Sequence, residues 1–119
     1  MKKQEKKQDL TKQICKALAA KQANDILIVN VKGVSDIVDH FIIASGKSQP
    51  QVKAIFEHLE EEMEKQGVFA TRKEGASEGR WIAVDYFDVI VHIFNEETRK
   101  FYQLEKLWIN GGNCVEYTE

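Results

Sequence analysis

The chain is poor in the features that usually settle a class. It has two cysteines in 119 residues, Cys15 and Cys114, far apart and at no metal-ligand spacing. That excludes a disulfide framework and suits a reducing compartment. A single proline, with 43% hydrophobic and 30% charged residues, excludes a disordered or fibrous chain. The apolar runs are strand-sized, too short for a spanning helix. The basic start, MKKQEKKQDL, is followed by no apolar run, so it does not read as a secretory signal. Net charge is −2, which provides no basic footprint for nucleic acid. The expectation is one cytoplasmic domain, large enough to bury a core, with no DNA or membrane partner.

Hydrophobic periodicity supplies the elements. Residues 1–8 are polar and expected to form a flexible basic N-terminus. From Asp9, a candidate cap, Leu10, Ile14, Ala17 and Leu18 recur at helical spacing and predict a helix of about four turns. DILIVNV (Asp25–Val31) and HFIIASG (His40–Gly46) predict strands. Ser48, Pro50 and Gln51 form a helix start with an S-x-x-Q capping box. The stripe Val52, Ile55, Phe56, Leu59, Met63 follows, and Gly67 closes it. Val68–Gly75, RWIAV and VIVHIF predict three more strands. Asn95 caps a short last helix with Phe101, Leu104 and Leu107 or Trp108 inward. Residues 109–119 are expected to be a mobile tail. The order α-β-β-α-β-β-β-α predicts an α/β (α+β) domain over residues 9–108, a mixed five-stranded sheet packed with helices. Strand order is not legible.

The stretch EGRWIAVDYFDVIVHIF (Glu78–Phe94) carries the functional question. As a hairpin closed around Tyr86 and Phe87, it sets Asp85 against Asp88, Val84 against Val89 and Trp81 against His92. Alternation then sorts two faces. Ile82, Val84, Val89, Val91 and Ile93 make an aliphatic face for the helices. Trp81, Ala83, Asp85, Asp88, Ile90 and His92 make the other. Like charges opposite one another are destabilising, whereas acids beside aromatics suit a partner bearing Lys or Arg. A core Trp with an Asp-capped turn is the equally weighted alternative. Tyr and Phe are poor at the positive φ of a two-residue turn, so a four-residue loop from Asp85 to Asp88 is a second geometry with the same faces.

Other motifs are weaker. ASGKS (Ala44–Ser48) has the end of a P-loop, but Phe41 stands where the pattern needs Gly. A plain strand-to-helix turn is favoured over an anion site there. Asp85 and Asp88 are at i, i+3, unlike the i, i+2 carboxylates of two-metal sites; Asp36 and Asp39, in another loop, are candidates to join them. His40, His58 and His92 are scattered.

Three stretches together resemble a known family. KGVSDIVDHFIIASGKSQPQVKAI, EGRWIAVDYFDVIVHIF and TRKFYQLEKLW are similar, in that order, to the signatures of the ribosomal silencing factor (Iojap) family, from about Leu10 to Trp108. The resemblance implies a nucleotidyltransferase-like fold without that chemistry, a binding protein rather than an enzyme, with no cofactor and no metal. It implies docking on the large ribosomal subunit at large-subunit protein fourteen, which blocks joining of the small subunit and lowers translation when nutrients are short. The implied partner-binding positions are Trp81, Asp85, Tyr86, Phe87, Asp88 and His92. At Phe87 the chain departs from the family, which often has Gly there. That bears on turn geometry and on apolar contact with the partner. Two rival readings stand beside this one. The first is a nucleotidyltransferase-like enzyme or nucleotide-binding module using the Gly46–Ser48 turn with Asp85 and Asp88. The second is a homodimer formed through an apolar sheet face.

Overall fold

A computed structural model describes residues 2–109 and 112–118, with side chains from Leu10 onward. The elements are α1 (Lys2–Ala20), β1 (Asn24–Asn30), β2 (His40–Gly46), α2 (Gln49–Lys65), β3 (Arg72–Glu74), β4 (Trp81–Asp85), β5 (Val89–Asn95), α3 (Glu96–Tyr102), α4 (Leu104–Trp108) and β6 (Cys114–Glu116). They build one mixed sheet in the order β3-β4-β5-β2-β1-β6. Only β2 and β5 run parallel among these pairs.

The aliphatic face is where the hydrophobic pattern puts it. Ile82, Val84, Val91 and Ile93 are fully buried and Val89 nearly so. They pack with Ile14, Leu18, Ile55, Leu59 and Met63 from α1 and α2. Each such side chain contributes about 1.5–3 kcal/mol when removed from water. α2 is set by its ends. Ser48 Oγ accepts from Gln51 N at 3.3 Å, and Gln51 Oε1 accepts from Lys47 N at 2.7 Å. The box is therefore displaced by one residue from the Ser48 N–H it would normally reach. At the other end Gly67 (φ 78) closes a Schellman motif, with Val68 N donating to Met63 O and Gly67 N to Glu64 O.

Several expectations are corrected. α1 begins at Lys2, so Asp9 lies inside the helix and not at its cap. The Lys, Gln and Glu residues ahead of it are good helix formers and carry the helix upstream. The third predicted strand shrinks to Arg72–Glu74, because the Schellman turn occupies its first residues. The last helix breaks at Gln103 (φ 50) and resumes as α4. The break turns Phe101 and Leu107 to solvent, while Leu104 and Trp108 pack on the sheet. The sheet has six strands, not five. The tail adds β6 antiparallel to β1, with Cys114 opposite Val29. Asn113 Nδ2 fastens it, donating to Asn30 O at 3.0 Å and Trp108 O at 2.8 Å. A three-residue strand among polar residues has no period to read.

Candidate functional site

The β4–β5 register differs from expectation by two residues. Asp85 pairs with Ile90, Val84 with Val91, Ala83 with His92, Ile82 with Ile93 and Trp81 with Phe94. Asp85 and Asp88 are therefore not a cross-strand pair, and the predicted like-charge clash is absent. A shift of two preserves both faces; a shift of one would have exchanged them. The cause lies in the turn. Tyr86 N donates to Val89 O at 2.8 Å, and Asp88 N donates to Tyr86 O at 2.9 Å. The second bond closes a three-residue turn around Phe87, whose φ is 75°. This is the i→i+2 arrangement of the γ-turn with positive central φ. Asp85 Oδ1 accepts from Phe87 N at 2.9 Å and braces it.

The six predicted site residues are not brought to one place. Phe87 projects from the turn and is 75% exposed. Asp85 and Asp88 flank it, half-buried. Tyr86 turns the other way and is only 3% exposed. Its hydroxyl has no hydrogen-bond partner among the described residues. Burial, with the carboxylates of Glu60 and Glu64 nearby, pushes its phenol well above the ordinary range. Trp81 and His92 sit further along the strands. Trp81 Nε1 donates to His92 Nδ1 at 3.0 Å. The proton of neutral His92 is thus on Nε2, which is buried without a partner among the described residues. Burial lowers the His92 pKa to about 4, so the ring is neutral at pH 7 and cannot supply charge to a partner.

Trp81 and His92 belong to an aromatic cluster on the second sheet face. Trp81 lies 4.7 Å from the Phe94 ring and 5.1 Å from Tyr102. Phe41 meets His92 at 5.2 Å and Trp108 at 4.9 Å, both edge-on. Sequence reasoning placed Trp81 and His92 on this face and offered Trp108 as an inward residue of the last helix, which packs here, but missed Phe41 and Phe94. Phe94 was legible from the alternation along β5; Phe41 depended on strand order.

Arg99 is a second residue the sequence did not single out. Its buried guanidinium donates to Glu105 Oε2 at 3.0 Å, Asp25 O at 2.8 Å and Ser45 Oγ at 3.1 Å. β1 shifts register between Asn24 and Leu27, and Asp25 sits at φ 50. Arg99 meets the carbonyl that this bulge turns away from the ladder, and so joins α3 and α4 to β1 and β2.

The rival site has other employment. Ser48 Oγ is the cap of α2, and a Cβ at Gly46 would stand 3.1 Å from the Val52 side chain, so this Gly is explained by helix–strand packing. The loop before β2 does lie beside the hairpin turn, since Asp39 N donates to Asp88 O at 2.9 Å. Among the described residues no three His, Cys, Asp or Glu side chains are grouped to hold a metal ion, and no helix is long and apolar enough to cross a membrane.

The α+β sheet carries a core on each face, one under α1 and α2 and an aromatic one partly covered by α4, and presents an acid-flanked apolar turn at one end. The comparisons with known proteins make this specific. The family model described as RsfS, ribosomal silencing factor during starvation, matches residues 4–119. The ribosomal silencing factor RsfS of Bacillus subtilis is 41% identical over 101 residues, covering 82% of this chain and 86% of that one. A mouse protein named mitochondrial assembly of ribosomal large subunit protein 1 is 30% identical over 94 residues, covering 76% of this chain and 41% of the mouse protein. A crystal structure from Bacillus halodurans superposes with a TM-score of 0.81 at 37% identity, covering 92% of this chain and 99% of that one. The chain belongs to the ribosomal silencing factor family.

Proposed function

We propose that the chain is a non-catalytic translational repressor of the cytoplasm. It docks on the large ribosomal subunit at large-subunit protein fourteen and, by its bulk, keeps the small subunit from joining. The family description ties such factors to starvation, which favours action under nutrient limitation. The observation that carries the reading is the hairpin end. An exposed Phe87 sits between Asp85 and Asp88, its backbone braced by the Asp85 carboxylate, and an aromatic flanked by carboxylates fits a surface bearing Lys and Arg. Trp81 is the further member of that surface, at the far end of β4 with His92 beside it, while Tyr86 packs into the helix-covered core on the opposite face. A second copy binding the same end would compete with the ribosome.

Co-sedimentation with isolated large subunits is the test, followed by mixing both subunits with the chain and counting joined ribosomes. The chain should pellet with large subunits and reduce joining. Phe87→Ala should weaken both effects without lowering the unfolding temperature. A chain that pellets with neither subunit, or leaves joining unchanged, refutes the reading.

A further inference from the structure

Exposed apolar side chains gather in the loops at one end of the sheet, and beside Val34 three larger ones stand in solvent. Phe87 is in the β4–β5 turn. Phe69, 63% exposed, precedes β3, and Ile37, 84% exposed, precedes β2. The topology places their loops side by side. β3 starts opposite the end of β4, where Arg72 pairs with Asp85. β2 starts beside the start of β5, where His40 pairs with Val89. Strands in the order β3-β4-β5-β2 at about 4.8 Å spacing put the outer two loops roughly 14 Å apart.

The loops are also fastened to one another. Thr71 N donates to Asp85 O at 2.8 Å, and Asp39 N and His40 N donate to Asp88 O at 2.9 and 3.2 Å. Ser35 Oγ accepts from Ile37 N at 3.2 Å and Val38 N at 3.3 Å, while Val38 is buried beneath. Ile37 is thus held out by an ordered loop. Single exposed apolar residues are ordinary on any surface. Three on adjacent, tied loops are a preorganised set of anchors, which bind without a large ordering cost. Asp36, Asp39, Asp85 and Asp88 lie in the same loops as Ile37 and Phe87.

We propose that Phe69, Phe87 and Ile37 form one row of anchors along this end of the sheet, and that the row seats on a single basic protein face of the large subunit. The acid flanks select a partner rich in Lys and Arg and disfavour bare RNA phosphate. This rests on the docking reading above and extends it to two loops that reading does not use. The sign of the charges also requires binding to weaken as salt rises.

The experiment titrates the full chain onto isolated large subunits. Unmodified chain is compared with Ile37→Ser, Phe69→Ser and Phe87→Ser, and with Phe101→Ser. Phe101 is 80% exposed on α3, at the other end of β5. Each of the first three should raise Kd by about tenfold or more, as loss of an interface anchor does. Phe101→Ser should bind as the unmodified chain, and unfolding temperatures should stay level because all four side chains are solvated. If the unmodified chain binds and the Ile37→Ser and Phe69→Ser variants bind equally well, the row is refuted while docking stands. No binding by the unmodified chain overturns both. If the serine variants instead dissociate a dimer seen by light scattering and leave subunit binding intact, the row meets a second copy and the proposal fails.

Discussion

Acidification should destabilise the domain through His92 before its carboxylates are protonated. The ring is buried, and its pKa falls from 6.5 to about 4 in the fold. Because the folded value lies below the unfolded one, the unfolded chain takes up the proton first as pH drops. The contribution is therefore complete above about pH 6.5 and is lost progressively down to pH 4. At about 1.4 kcal/mol per pH unit, the whole loss is about 3 kcal/mol, of which about 2 kcal/mol is gone by pH 5. Ordinary Asp and Glu titrate below about 4.5, so the window from 6.5 to 5 belongs largely to this histidine. Urea unfolding at successive pH values, followed by tryptophan fluorescence, measures it. The His92→Phe variant keeps an aromatic ring between Phe41 and Trp81 but cannot bind the proton, and should show a flat profile over that window. A variant that keeps the slope would falsify this account, as would an NMR titration that places His92 near 6.5.

Other residues make separate tests. Phe87→Gly relieves a positive φ that costs an L side chain about 1–2 kcal/mol, offset by about 0.5–1 kcal/mol of added chain entropy. Chemical denaturation should show stability unchanged or slightly raised, while affinity for large subunits falls. Tyr86→Phe removes a buried hydroxyl with no partner among the described residues; its melting temperature should hold or rise, since about 1–3 kcal/mol of desolvation penalty is removed. Arg99→Met leaves Glu105 half-buried without its ion pair and Asp25 O without its donor. A loss of about 3–5 kcal/mol is expected, visible as a lower denaturation midpoint; a shift under 1 kcal/mol would show the network to be incidental.

The parts of the fold that were legible share one property: each is written in local spacing. The α2 stripe, its Ser48 cap, the Asn95 cap and the aliphatic face of β4 and β5 follow from residues within a few positions of one another. The β4–β5 register depended on a single dihedral at Phe87, which no alternation pattern encodes. The family resemblance puts Tyr86 among the partner-binding positions, but it continues the alternation of Ile82 and Val84 and is buried with them. Arg99 reads as a surface residue on a short helix until the β1 bulge is known, and the bulge is visible only as a pairing. The row Phe69–Phe87–Ile37 was invisible for the same reason, since its members become neighbours only through strand order.

The parallel pairing of β2 with β5 has a consequence for how the chain folds. The β1–β2 and β4–β5 hairpins each join residues close in sequence and can form early. β2 and β5 come from opposite halves of the chain, and closing that loop is the slow, entropically costly step. Ile37 belongs to the first half and Phe69 and Phe87 to the second. On the docking proposal, the three anchors stand together only once β2 has paired with β5, so binding to the large subunit should require the completed sheet.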